Sequence, residues 1–91
     1  MNFIYPVIVK KTDSGYHARF PDLAMCEAEG RDLDETLGRA RDAMEDWIRV
    51  EFEEEDPQFP PISEPDEIEL SEGEFVRNIL VIYRMYEGWD E

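Results

Sequence analysis

Two stretches near the start of the chain have the residue pattern of β-strands. Phe3–Lys10 (FIYPVIVK) is rich in β-branched and aromatic residues, and Tyr16–Phe20 (YHARF) alternates apolar with polar side chains. Between them, Thr12–Gly15 (TDSG) supplies the Asp, Ser and Gly that favour tight turns. The pattern therefore predicts a β-hairpin.

The alternation breaks at Pro21 and resumes in Met25–Glu29 (MCEAE). In this third segment Cys26 and Ala28 share one face, and the neighbouring polar residues share the other. Gly30 ends the segment. We expect a third strand whose cysteine-bearing face lies in the core.

A long amphipathic helix is predicted from Leu33 to Phe52. Asp32 is a suitable N-cap residue, and Glu35 follows three positions later, as in a capping box. The apolar residues recur at spacings of three and four along one stripe, which comprises Leu33, Leu37, Ala40, Met44, Trp47 and Ile48. We expect Trp47 to anchor the helix, because truncation of a buried Trp costs ~3–5 kcal/mol.

The second half of the chain predicts a long connection and one more strand. Residues 53–74 hold four of the six prolines and no Lys or Arg, whereas Phe75–Tyr86 is apolar at nearly every position from 79 to 83. Such a run is typical of a strand buried on both faces, often in a parallel pair. A helical crossover predicts that it runs parallel to the first strand. The fold class is therefore α+β, with the order β-β-β-α-β and a mixed sheet that has one long helix packed on one face.

Length and composition indicate a single domain over residues 1–91 in the cytoplasm. A chain of 91 residues is enough for one domain. Its apolar runs are too short to span a bilayer, and it does not open with a secretory leader. The lone cysteine leaves no internal disulfide to form, as is typical of a reducing compartment.

The net charge of −15 is unevenly distributed along the chain. Residues 1–50 carry seven Lys/Arg and ten Asp/Glu, a net charge of −3, whereas residues 51–91 carry two Arg and fourteen Asp/Glu, a net charge of −12. Nucleic-acid binding depends on neutralising phosphates with Lys and Arg, so direct contact with nucleic acid is not expected. The charge favours a basic partner, with simple solubility as the alternative.

The residues with chemical potential do not form a catalytic pattern. Cys26 lies beside Glu27 and Glu29, which disfavour the thiolate, so a buried structural thiol is expected. His17 is the single histidine and stands two residues from Arg19, which repels a cation. P-loop, GxSxG and HExxH spacings are absent. We therefore expect no catalytic residues, metal or cofactor.

The element order also matches the first part of the ribonuclease H arrangement. Two-metal nuclease chemistry needs carboxylates that converge from several elements, normally including the first strand. Phe3–Lys10 has no carboxylate. A residual metal-dependent nuclease is thus a disfavoured alternative.

The acidic, proline-rich connection is the remaining candidate site. It is either a solvated linker or a strip that binds a basic partner, with two apolar side chains as anchors. The predicted partner-binding residues are Glu53, Glu54, Glu55, Asp56, Phe59, Ile62, Glu64, Asp66, Glu67 and Glu69.

Residues 5–48 resemble the HicB family of bacterial antitoxins. The resemblance rests on YPV in the first strand, GY at the start of the second, FPDL at its end, a cysteine before xxxG, and a capped helix that begins DLDETL. It covers roughly the first half of the chain. The family commonly has Pro-Gly before the cysteine, where this chain has Ala24 and Met25.

The resemblance implies a fold and a function. HicB-like proteins have a degraded ribonuclease H-like fold without its catalytic carboxylates, and they neutralise HicA, a small basic ribonuclease toxin, by covering its RNA-binding surface. Many carry a C-terminal DNA-binding domain, for which this chain has no room after Tyr86. We therefore expect an antitoxin-like protein with a HicA-like partner. Exposed sheet edges favour self-pairing, so a homo-oligomeric state is also expected, and the short apolar runs predict no membrane contact. An orphan homo-oligomeric module with no toxin partner is the alternative.

Overall fold

The computed structural model describes residues 2–82, which form four strands and one helix. The elements are β1 (Asn2–Thr12), β2 (Gly15–Arg19), β3 (Glu27–Gly30), α1 (Leu33–Phe52) and β4 (Glu74–Ile82), with a short 3₁₀ turn at Pro65–Glu67 before the last strand. The predicted order β-β-β-α-β and the α+β class are confirmed.

The strands form one open sheet in the order β3-β2-β1-β4, in which every neighbouring pair is antiparallel. Apolar side chains of β1 and β2, including Val7, Val9 and Ala18, lie on the face that α1 covers. Among residues 2–82, α1 is the one helix longer than a single turn and lies on that face, and β3 and β4 are the two edges of the sheet.

The prediction of a mixed sheet, with the last strand parallel to the first, is wrong. β4 runs antiparallel to β1, from Glu74 opposite Lys10 to Ile82 opposite Asn2. The reason is the long connection. α1 ends beside the start of β1, and residues 53–73 then return along the sheet, so β4 begins at the opposite end from the one that a short crossover would reach.

The prediction that the last strand is buried on both faces is also wrong. Ile79 and Val81 lie in the core, whereas Leu80 and Ile82 are 46% and 47% exposed. An edge strand of a sheet covered on one side can bury only alternate residues. The predicted end of the strand at Tyr86 lies outside the described residues.

The predicted bounds of the helix are confirmed, and its first turn is capped from two sides. The backbone N–H of Glu35 donates to the Asp32 carboxylate at 2.8 Å. The Glu35 carboxylate in turn accepts from the backbone N–H of Arg31 at 2.7 Å, and this bond holds the pKa of Glu35 below its usual value. The stability that the ionised Glu35 carboxylate contributes is therefore present above the pKa of Glu35 in the unfolded chain. It is lost as the pH falls through the pKa of Glu35 in the folded protein.

α1 packs on the sheet through Ala40, Met44 and Ile48, which are fully buried. Thr36 is also fully buried, which the apolar pattern did not predict, and its hydroxyl donates to the Asp32 carbonyl at 2.8 Å. Gly30 lies directly against it: a Cβ at Gly30 would be 2.7 Å from the Thr36 backbone nitrogen. The glycine at the end of β3 thus permits close approach of strand and helix.

Replacement of a buried residue of α1 should destabilise the fold, whereas replacement of a nearby exposed one should not. We expect Ile48→Ala to lower the free energy of unfolding by ~2–5 kcal/mol, because it leaves a cavity under the helix. Val50→Ala is the control on the same helix, since Val50 is 55% exposed. It should change stability by less than ~0.5 kcal/mol. Urea denaturation measures both, and equal losses would show that Ile48 does not anchor the helix.

Candidate partner-binding surface

The turn between β2 and β3 is closed by its own backbone. Phe20 donates to the carbonyl of Cys26 at 3.0 Å, Leu23 donates to the carbonyl of Phe20 at 3.3 Å, and Cys26 donates to the carbonyl of Leu23 at 3.2 Å. All three side chains are buried. The FPDLAMC stretch is therefore a rigid part of the fold.

Cys26 lies in the core, 6% exposed, as its alternation with Ala28 predicts. Burial, and to a lesser degree the Glu27 carboxylate, raises the pKa of the thiol to about 11. The reactive form of a cysteine is the thiolate, so this thiol is inert at neutral pH.

His17 lies on the face of the sheet away from α1, as predicted, and its Nε2 is 2.8 Å from a Glu27 carboxylate oxygen. Within residues 2–82, no group of three or more His, Cys, Asp or Glu residues is placed to hold a metal ion. Over the same residues, the structure contains no helix with both the length and the apolar character needed to cross a membrane.

The middle of the acidic connection is fastened to the body of the domain. The Tyr5 hydroxyl donates to the Pro60 carbonyl at 2.6 Å. Ser63 donates twice to the Asp22 carboxylate, through its backbone N–H at 2.9 Å and its hydroxyl at 2.5 Å. Asp22 belongs to the FPDL stretch, which therefore holds the connection in place as well as forming the turn.

Phe59 is part of this attachment. Its ring centroid is 5.0 Å from that of Phe3 and 4.9 Å from that of Phe52, and the three rings form one aromatic cluster beside the core. The sequence suggested a free apolar anchor here, but the half-buried ring packs on its own domain. Ile62, the second predicted anchor, is 56% exposed.

The predicted acidic residues are all exposed and lie in two groups. Glu53, Glu54, Glu55 and Asp56 follow the end of α1, and Glu64, Asp66, Glu67 and Glu69 follow the attachment at Ser63. The structure thus presents them on either side of a fixed segment rather than around one pocket. No Lys or Arg lies between Arg49 and Arg77, so this surface has no cation of its own.

A groove that the sequence did not predict lies between the turn and α1. It has a volume of about 440 Å³, with apolar walls from Met25, Ala43, Trp47 and Val50 and carboxylates at Glu27, Asp46 and Glu51. One feature of the sequence could have indicated this groove. Met25 stands where the HicB family commonly has the glycine of its Pro-Gly pair.

The comparisons with known proteins indicate the same kind of fold. The structure matches a chain of the HicA3 and HicB3 toxin-antitoxin complex with a TM-score of 0.68 and 24% identity, over 85% of this chain and 95% of that one. It also matches a chain of a toxin-antitoxin complex from Streptococcus pneumoniae with a TM-score of 0.74 and 19% identity, over 90% of this chain and 70% of that one. The fold is HicB-like. The expected resemblance is therefore confirmed in three dimensions.

Sequence comparison adds one curated relative. A UPF0150 protein of Archaeoglobus fulgidus is 29% identical over 56 residues, which are 60% of this chain and 81% of the relative. No family model matches the chain.

The Cys26 thiol predicts a pH dependence of stability. Because its folded-state pKa is raised to about 11 from an ordinary 9.0, the unfolded chain loses this proton first as the pH rises. We expect Cys26 to lower the free energy of unfolding between pH 9 and 11. Urea denaturation should show a shallower alkaline decline for Cys26→Ala than for the native chain, and an identical decline would contradict a raised pKa.

Removal of the Asp22 carboxylate should release the connection. Asp22→Ala leaves the Ser63 hydroxyl and N–H without their partner, which we expect to cost ~1–3 kcal/mol. Amide hydrogen exchange at Ser63 should accelerate by at least about tenfold. Asp42→Ala is the matched control, because Asp42 is an exposed carboxylate in the middle of α1. Unchanged exchange at Ser63 in Asp22→Ala would show that the connection is held by other contacts.

Proposed function

We propose that this HicB-like chain is an antitoxin, which neutralises a small basic ribonuclease toxin of the HicA type in the cytoplasm by covering its RNA-binding surface. The observation that carries the proposal is the acidic connection, fixed to the body of the domain by Tyr5, Asp22 and the ring of Phe59. The two solved structures described above come from toxin-antitoxin complexes, which supports the same role.

The charges of the two proteins would be complementary. A toxin that binds RNA needs a basic surface for phosphate, and residues 51–91 of this chain carry a net charge of −12. Complementary charge raises the rate of encounter and makes it sensitive to salt. Inhibition would then be occlusion, with no catalytic group, metal or cofactor required of the antitoxin.

Preorganisation strengthens this binding. A flexible acidic strip would lose conformational entropy as it became ordered on the toxin, by about 0.5–1.5 kcal/mol for each immobilised side chain. Here the centre of the strip is already attached at Pro60 and Ser63. The two acidic groups therefore keep a fixed separation, which selects a partner with matching basic patches.

Neutralisation of the first acidic group should slow association with the toxin. For the triple variant Glu53→Gln, Glu54→Gln, Glu55→Gln, we expect an association rate about 10-fold or more below that of the native chain at low salt, with the difference shrinking at high salt. The probe is a purified small basic toxin of the HicA type, and surface plasmon resonance measures the rate.

A matched variant tests whether position matters or only total charge. Asp13→Asn, Asp34→Asn, Asp42→Asn removes the same charge from exposed positions elsewhere. It should change the rate by less than about threefold. Equal effects of the two triple variants would exclude a specific role for the strip, and the absence of any complex at moderate salt would exclude the toxin partner.

We also propose that the chain pairs with a second copy through β4 and the face of the sheet away from α1. Ile4, Leu80 and Ile82 form an apolar patch on that face, with each side chain 44–47% exposed. Ile4 and Leu80 lie opposite one another in the β1–β4 register. Exposed edge strands with apolar side chains favour pairing with another chain.

A charge in this patch should dissociate the oligomer. We expect light scattering to give a dimer or larger species for the native chain and a monomer for Leu80→Lys, because the lysine would be desolvated at the interface. Leu70→Lys, at a 45% exposed position in the connection, is the control and should not change the mass. A monomeric native chain would contradict the pairing.

A further inference from the structure

Met25 has an unusual backbone and an unusual exposure. It has a φ of 61°, the left-handed conformation in which a side chain is strained, and it is the one non-glycine residue with positive φ among residues 2–82. Its side chain is 96% exposed. Strain of this kind persists where the surrounding structure fixes it, often at ligand-binding sites.

The turn is fixed by contacts on both sides of Met25. The indole N–H of Trp47 donates to the Ala24 carbonyl at 3.2 Å, which ties the turn to α1. On the other side, Cys26 is paired with Phe20 and Leu23 through the backbone. Met25 is therefore held in an outward position, where it forms an apolar edge of the groove.

The rim of the groove is acidic. Glu27, Asp46 and Glu51 line it beside the apolar wall of Trp47 and Val50. Each carboxylate already has one partner: Glu27 contacts His17, Asp46 contacts Arg49, and Glu51 accepts from the N–H of Gln58. An ionised carboxylate has about four acceptor sites, so each keeps capacity for a further donor.

An apolar groove with carboxylates around it is complementary to an apolar side chain flanked by Lys or Arg. We infer that this groove is a second contact for the toxin and binds an apolar side chain from a basic segment of it. Met25 and Trp47 would pack against that side chain, and the carboxylates at the rim would bind the Lys or Arg residues beside it. This inference rests on the proposed antitoxin function. It adds a contact at the C-terminal half of α1.

Two substitutions at Met25 separate binding from stability. Met25→Ala removes the thioether and keeps the strained backbone, whereas Met25→Gly removes both. We expect each to weaken the complex about tenfold, since each deletes an exposed anchor. Met25→Gly should also raise the melting temperature by about 4 °C, because glycine adopts a positive φ without strain. A residue kept for the fold alone would not give these opposite changes.

The experiment uses the full chain and a purified small basic toxin of the HicA type. Calorimetric titration measures affinity, and scanning calorimetry measures stability. Val50→Ala, in the groove wall, should also weaken the complex. Asp42→Ala, at an exposed position of α1 outside both the groove and the connection, should bind like the native chain. Together these results would support the groove as a toxin contact.

Each contrary result has a distinct meaning. If the native chain binds and the Met25 variants bind equally well, the groove inference is overturned and the antitoxin function stands. If the native chain does not bind, the antitoxin function fails and the inference fails with it. If the Met25 variants change only the mass measured by light scattering, the groove serves a second copy of this chain and the inference is overturned.

Discussion

The return of the chain along the domain after α1 is the constraint on which the rest of the structure depends. The helix ends near the start of β1, where the rings of Phe3, Phe52 and Phe59 pack together. Tyr5 and Asp22 then hold the segment that travels back. This route sets the direction of β4 and holds the centre of the acidic connection against the body of the domain.

The same arrangement reconciles a high negative charge with a folded domain. Like charges destabilise a compact state by self-repulsion, and most of the excess lies after residue 50. The connection keeps these carboxylates exposed at the periphery, where water and salt screen them, while its apolar and backbone groups make the attachments. A basic partner would relieve the remaining repulsion, so that binding and stability would increase together.

Local patterns predicted the elements of this fold better than their arrangement. The cap at Asp32 and the apolar stripe through Met44 and Ile48 specify the helix from neighbouring residues alone, and the structure agrees with them. The direction of β4 depends instead on where residues 53–73 attach, which involves Ser63 meeting Asp22 from a distant part of the chain. An apolar run such as the one after Ile79 looks similar in a central strand and in an edge strand.

The candidate site divides in the same way. Composition predicted the acidic strip, and the structure shows those residues exposed. Composition did not separate Phe59, which packs on the domain, from Ile62, which faces water, because that distinction requires the positions of Phe3 and Phe52. The groove was missed because Met25 and Trp47 come together only when the turn folds against the helix.

The pairing of β4 with β1 has a consequence for the covalent continuity of the chain. The two strands are in register over nine residue pairs, from Asn2 with Ile82 to Lys10 with Glu74. The preceding residues 64–73 are mostly exposed, and their hydrogen bonds are local, between Glu64 and Glu67 and between Ser71 and Glu74. A single cut in that stretch would sever the backbone without removing the ladder. The two fragments of the cut protein should therefore stay associated. A synthetic peptide of β4 should likewise bind to a chain that ends before that strand.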